Sequence, residues 1–356
     1  MLRVITFTEQ GKAVAKTIAD SMPAKIYTKY HSAADSPEYV SVPLSAWAKE
    51  GFLAGDALLF IGAAGIAVRA IAGCIQDKLS DVPVLVMDMQ AGFVIPILSG
   101  HYGGANRLAQ ELAEITGAVP VITTATDQIG AFAADLYAKE QRMKIRNPKA
   151  LPYISGKAVA GEELCIFVDN GWGITPPKGV KISGEERDAD IVVTLRPLTE
   201  EELLRKDILY LTPVRIHVGI GCKRNADPNQ VEVYLQRILT ENCLDIHTLA
   251  DIASIDRKKD EPAILMLSEK LGLPFHTFSA GELQAVPGDF PVSRFVEQTV
   301  GVGNVASRAA ACAAGAGFRM LMFNAAESGV TLALASEKKG FTEDSAEPSS
   351  ALQPQP

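Results

Sequence analysis

Short β-rich runs alternate with helical periods through the first 140 positions: LRVITFT (2–8), GKAVAKTIADSM (11–22), DALLFIG (56–62), AGIAVRAIAG (64–73) and VPVLVMD (82–88). Strand followed by helix, repeated, predicts a wound α/β sheet. VPVLVMD and GFVIPIL (92–98) are separated by too few residues for a crossover, so they read as a hairpin. Such a reversal could place Asp88 and the Gly62–Gly65 loop at the sheet edge opposite the loop that follows GFVIPIL, which the sequence alone does not settle. The next segment, LSGHYGGANRLA (98–109), is a strand end, a glycine-rich turn and a helix start. Leu108, Leu112 and Ile115 share one face of that helix, and Gly117 has the position of its C′ residue. VPVIT (119–123) then reads as a strand reached by a right-handed parallel crossover.

The alternation fades between 141 and 212, where basic KIRNPK, the run GWGITPPKG and the acidic TEEELLRKD follow one another. It returns at RIHVGIG (215–221), followed by a helix with Asp227 as N-cap, Pro228 as first residue and Val231, Leu235, Ile238 and Leu239 as its apolar stripe. Ser279 and Glu282 have capping-box spacing, and RMLMF (319–323) and VTLALA (330–335) read as late strands. The fold class is therefore α/β. Two wound α/β domains, 1–140 and 213–337, are joined by a small irregular middle region, 141–212. The Ser-, Glu-, Pro- and Gln-bearing tail, 338–356, is expected to be disordered.

Composition narrows the field. A chain of 356 residues exceeds the roughly 250–300 at which one hydrophobic core stops growing, which calls for at least two cores. A net charge of -8 with no basic run longer than Arg257-Lys258-Lys259 argues against nucleic acid as a partner. No stretch approaches the roughly 20 uninterrupted apolar residues of a membrane-spanning helix, and the amino-terminal segment does not read as a secretion signal. Five scattered cysteines without a C-x-x-C pair suggest neither a disulfide framework nor a zinc site, and fit a reducing cytoplasm. Five histidines, none in H-x-x-x-H spacing, indicate no metal site in the protein.

Chemistry concentrates in the loops. In the segment Ser99-Gly100-His101-Tyr102-Gly103-Gly104-Ala105-Asn106 the glycines permit a sharp turn or close approach of a ligand, and the helix start offers N–H groups to an anion. An ordinary tight strand-to-helix connection accounts for the glycines equally well. His101, and Asp127 at the end of TTATD, would lie at the carboxyl ends of neighbouring strands, where open α/β sheets bind ligands. They form a conceivable acid/base pair, with His101 titrating near neutrality; Asp127 would serve as well as a plain helix cap. GAAG (62–65) lacks both G-x-G-x-x-G spacing and the Lys-Ser/Thr of a P-loop, so nucleotide cofactors are not implied. Cys222 reads as nucleophile or, more ordinarily, as a small buried hydrophobe. Lys258 and Glu261 precede a helix, where they would meet substrate carboxylates or form a solvated turn. No G-x-S-x-G elbow supports a serine hydrolase.

Taken in order, GAAGIAVRAIA (62–72), LSGHYGGANRLA (98–109), VITTATD (121–127), VGIGCKR (218–224), ASIDRKKDE (253–261) and VGVGNVASRAAA (300–311) resemble the CbiG family of cobalt-precorrin-5A hydrolases of anaerobic cobalamin synthesis. The resemblance implies that the substrate is a cobalt-bearing, ring-contracted tetrapyrrole whose δ-lactone is hydrolysed with loss of acetaldehyde. It implies no separate cofactor, since cobalt arrives within the substrate. Other cobalamin-pathway enzymes would be possible partners, and a non-catalytic tetrapyrrole carrier is the alternative. Hydrolysis of such a lactone needs a base and an oxyanion stabiliser, for which the residues offer His101 or Asp127 as the catalytic group and the Gly103 and Gly104 amides for the oxyanion. The macrocycle and its carboxylates would be held by Gly62, Gly65, Arg69, Ser99, Gly100, Gly103, Gly104, Asn106, Thr123, Thr124, Gly219, Gly221, Arg224, Lys258 and Glu261. The chain departs from the family pattern at Ala306-Ser307, where many relatives have Cys-Glu, and at Asn324, where Lys is usual.

Overall fold

The structure, a computed structural model, describes residues 1–30, 38–77, 79–123, 131–169, 174 and 176–337. The chain divides into two compact units, one from Met1 to Leu136 and the other from Tyr137 onward. The tail expected to be disordered, 338–356, lies outside the described residues.

The first unit is built on strands β1 (Leu2–Thr6), β2 (Ala24–Thr28), β3 (Ala57–Ile61), β4 (Val84–Met87), β5 (Phe93–Leu98) and β6 (Val119–Pro120), in the order β2-β1-β3-β4-β5-β6. Helices α1 (Glu9–Ser21), α2 (Leu44–Ala54), α3 (Ala64–Ile71) and α4 (Ala105–Thr116) cover both faces. Alternation along the strands decides which residue meets which helix. Val4, Leu59, Ile61 and Met87 pack against Ala15 and Ile18 of α1 and Leu112 of α4. Ile5, Leu58, Phe60 and Val86 pack against Trp47 of α2 and Ala67 of α3. Each such fully buried large side chain is worth about 1.5–3 kcal/mol. Strands β1 to β4 are parallel, whereas β5 runs antiparallel to β4, with Val84 opposite Leu98 and Met87 opposite Val94. The expected hairpin is present. Beyond it, β6 is parallel to β5, reached through α4.

The second unit holds two sheets. The middle segment is more regular than its sequence suggests: β7 (Met143–Ile145), β8 (Leu164–Val168), β9 (Val180–Ile182), β10 (Ile191–Val193) and β11 (Leu209–Pro213) form a sheet in the order β7-β11-β10-β8-β9. Only β7 is antiparallel to its neighbour. Helix α5 (Ala134–Glu140) leads into this sheet, α6 (Leu151–Val159) precedes β8 and α7 (Glu200–Leu204) precedes β11. Several of these strands are three residues long, too short to show a period, so the reading of an irregular region missed a pairing set by distant residues.

The second sheet contains β12 (Ile216–Cys222), β13 (Leu249–Ile255), β14 (Phe275–Phe278), β15 (Arg319–Glu327) and β16 (Val330–Ser336), in the order β14-β13-β12-β16-β15. Helices α8 (Pro228–Glu241) and α9 (Pro262–Leu271) cover one face with Val231, Leu235, Ile238, Ile264 and Leu267. The other face carries α10 (Ala280–Ala285), α11 (Arg294–Val300) and the alanine-rich α12 (Ala306–Ala314). Asp227 caps α8 through the Asn229 N–H, and Ser279 with Glu282 forms the capping box of α10, both as expected.

Candidate functional site

At the end of β5, Ser99 takes a left-handed conformation (φ 57°), and its hydroxyl donates to the Asp81 carbonyl at 2.7 Å. The loop then closes on itself. Gly104 N–H donates to His101 O (3.0 Å), Ala105 N–H to Ser99 O (3.1 Å) and Asn106 N–H to Gly100 O (2.9 Å). A Cβ at Gly100 would meet the Asn106 amide at 2.8 Å, and one at Gly103 would meet the Ser99 hydroxyl at 2.1 Å. These two glycines serve the turn's own packing. Of the two amides assigned to the oxyanion, that of Gly104 is already engaged inside the loop, which corrects the expectation of free donors at this helix start. Asn106 is buried beneath the loop, while His101 and Tyr102 are half-buried at its crest. Because β6 runs parallel to β5, exposed Thr123 follows at the same sheet edge as His101. Thr124 and Asp127 lie outside the described residues, so the postulated His101–Asp127 pair has only its histidine on view.

Gly62, Gly65 and Arg69 occupy the other edge. Gly62 follows β3, its N–H donating to Met87 O at 2.8 Å, and a Cβ there would meet the Phe7 ring at 2.7 Å. Exposed Arg69 folds back over the first turn of α3, its guanidinium 3.3 Å from where a Gly65 Cβ would stand. Asp88, beside this loop, accepts the Gln90 N–H at 2.8 Å and the Phe93 N–H at 2.7 Å, so its carboxylate shapes the hairpin. A strand of this length spans roughly 17 Å. The Gly62 and His101 loops therefore do not form one binding surface, contrary to their joint assignment to the substrate.

In the second unit Gly219 is a packing glycine. A Cβ there would stand 1.8 Å from the Ala306 carbonyl oxygen, because α12 presses its backbone onto β12. A Cβ at Gly221 would find only ordinary contacts, and Arg224 is exposed. Ala306 and Ser307, the adjacent pair singled out in the sequence as a departure, are both buried in this contact, with the Ser307 N–H held by the Asn304 side chain at 2.9 Å. The side chain at Asn324 lies outside the described residues.

Lys258 and Glu261 do come together, at the carboxyl ends of the parallel strands β12 and β13. Lys258 Nζ lies 2.6 Å from Glu261 Oε2. Their side chains are 17% and 5% exposed, so the pair is not a solvated turn. Cys222, at the end of β12, lies within reach of Lys258; burial pushes its thiol pKa up and outweighs the opposing pull of the lysine. A protonated thiol is a poor nucleophile.

Sequence reasoning passed over His217. Its Nδ1 lies 2.9 Å from both Asp251 oxygens, with His276 Nε2 at 3.8 Å from the same carboxylate and Glu337 at 3.6 Å from His217 Nε2. Period two along β12 and β13 puts these residues on one face, but only the strand register, which local sequence does not reveal, makes them neighbours. Among the described residues no group of three or more His, Cys, Asp or Glu is arranged to hold a metal ion, and no helix is long and apolar enough to cross a membrane.

A family model described as cobalamin synthesis G N-terminal matches residues 46–127, and one described as cobalamin synthesis G C-terminus matches residues 216–335. The cobalt-precorrin-5A hydrolase of Salmonella typhimurium is 34% identical over 320 residues, covering 87% of this chain and 90% of the relative. The chain belongs to the cobalamin synthesis G family. A second family member, the cobalt-precorrin-5A hydrolase of Priestia megaterium, is 31% identical over 64% of this chain and 65% of its own length. A solved cobalamin biosynthesis protein G homolog from Sulfolobus solfataricus aligns over 94% of this chain and 96% of its own at 19% identity, with a TM-score of 0.36. The N-terminal cobalamin synthesis G segment takes in the Gly62 and His101 loops and ends at Asp127. The C-terminal segment holds Cys222, Lys258, Glu261 and α12. The middle sheet lies outside both.

Proposed function

We propose that this chain hydrolyses the δ-lactone of cobalt-precorrin-5A, giving cobalt-precorrin-5B and acetaldehyde. The similarity to the Salmonella hydrolase across nine-tenths of that enzyme's length carries the reading. Water adds to the lactone carbonyl, the ring C–O bond breaks, and a carboxylate and an alkoxide are freed. The alkoxide electron pair then becomes the aldehyde C=O as the carbon–carbon bond to the macrocycle breaks, and the macrocycle takes up a proton. A base for the water and a donor for the departing groups are the protein's share of this chemistry. Cobalt enters as part of the substrate, with no further cofactor.

His101, at the crest of its loop, is one proton-transfer group in this proposal, with Asp127 as its partner. In the second unit the exposed guanidinium group of Arg224 suits a carboxylate of the macrocycle rim. Since Arg69 and His101 occupy opposite sheet edges, His101 and Arg69 do not serve one bound macrocycle together. We place the reaction in a reducing cytoplasm, a choice supported by five cysteines that are all free of disulfides.

Acetaldehyde release on mixing purified protein with cobalt-precorrin-5A under anaerobic conditions tests the reading. The wild type is expected to release one equivalent, and His101→Ala to turn over ~10²–10⁴-fold more slowly. Macrocycle binding without release would instead identify a carrier, and a fully active His101→Ala would remove His101 from the chemistry.

A further inference from the structure

We infer that Glu261, held by Lys258, is a catalytic proton-transfer group of the lactone hydrolysis, an inference that rests on the hydrolase reading above. Glu261 occupies the N-cap position of α9, where a carboxylate ordinarily accepts an N–H of the first helical turn. Its side chain makes no such bond. It turns instead to Lys258, whose ammonium donates to Oε2 at 2.6 Å. Oε1 is buried and has no hydrogen-bond partner among the described residues. A buried carboxylate oxygen left without a donor is costly in a folded protein. A structural ion pair would gain from satisfying both oxygens. One tethered oxygen beside one unsatisfied oxygen is the arrangement a proton acceptor requires, because the lysine fixes the group's direction and leaves a single basic site.

Position supports the assignment. The pair sits at the carboxyl ends of β12 and β13, the edge at which open α/β sheets receive ligands. Cys222 Sγ borders Lys258 there, and its elevated pKa leaves the thiol protonated as a neutral wall. In the hydrolytic step Glu261 Oε1 takes a proton from water as the water oxygen bonds to the lactone carbonyl carbon and the carbonyl π pair moves to its oxygen. When the tetrahedral intermediate re-forms the carbonyl, the ring C–O bond breaks; the freed alkoxide pair then becomes the aldehyde C=O as the carbon–carbon bond to the macrocycle breaks, and the proton held by Glu261 passes to the macrocycle carbon. Water is the sole co-reactant.

The test compares wild type, Glu261→Gln and Glu261→Asp for acetaldehyde release, macrocycle affinity by absorbance titration with cobalt-precorrin-5A, and thermal unfolding. Glu261→Gln is expected to lower kcat ~10²–10⁴-fold while macrocycle affinity stays within about threefold, and to erase the acid limb of the residual kcat–pH curve. A merely structural pair would shift the melting temperature and leave that limb in place, which would overturn the assignment. Glu261→Asp keeps the charge and the fold but draws the carboxylate back, and is expected to lose at least about tenfold in kcat; full activity in it overturns the inference even if the Gln variant does not fold. An active wild type with an active Glu261→Gln sinks only this inference, whereas an inactive wild type sinks the hydrolase reading and this inference together.

Discussion

Gly219 shows how a single residue can be visible in the sequence and its reason hidden. The glycine invites a ligand-binding reading, yet what approaches it is the Ala306 carbonyl of its own chain. Glycine fits either reading; only the position of a helix almost 90 residues later decides between them. Gly219→Ala is accordingly expected to cost at least about 3 kcal/mol, at the upper end of overpacking, read as a fall in the denaturation midpoint, whereas Gly221→Ala is expected to be mild. His217 was overlooked for a related reason: its partner Asp251 is defined by strand register. His217→Ala removes the hydrogen-bond partner of a buried carboxylate and is expected to destabilise by roughly 1–3 kcal/mol in urea titrations. Glu202 sets an acid limit. The Arg196 guanidinium, with the Thr199 N–H and hydroxyl, lowers its pKa from 4.5 to about 2 against the opposing effect of burial. Its folded-state pKa lies below the unfolded one, so its contribution is complete at neutral pH and is lost as pH falls from about 4.5 toward 2. Glu202→Gln should flatten that part of the melting temperature–pH curve.

At the scale of elements, legibility followed local chemistry. The hairpin between β4 and β5, the Gly117 end of α4, the Asp227 cap and the Ser279–Glu282 box all rest on residues within a few positions of one another, and all are found. Asp227→Ala is expected to cost about 1 kcal/mol, measurable as a melting shift of a few degrees. The middle strands have no such local signature, being short and paired between residues far apart in sequence. The His101 loop lies between these extremes. Its glycines announced a turn, but not that the turn would use its amides on its own carbonyls. Lys258 and Glu261 were readable as neighbours before a helix. That the carboxylate forgoes the cap was not, because the choice depends on burial at the end of β13.

Across the molecule, the second unit joins its two sheets through buried charge. Arg146 follows β7 and lies 2.9 Å from Asp245, which precedes β13, with the two side chains 9% and 8% exposed. Burial alone would raise the Asp245 pKa; the His247 N–H and the Arg146 guanidinium outweigh it and hold the carboxylate below its usual range. The two sheets are therefore expected to melt as one transition, and Asp245→Ala to split that transition in calorimetry. The path of the chain through the middle sheet has a consequence for ancestry and engineering. Met143 is paired with Pro213, and the Val214 N–H donates to the Arg142 carbonyl at 2.9 Å, so entrance and exit stand side by side. In genetic terms, residues 143–213 have the layout of a cassette, a coding segment whose ends meet closely enough for a short splice from Arg142 to Val214, though excision also takes Arg146 from the Asp245 carboxylate and the Leu195 carbonyl from the Asp245 N–H.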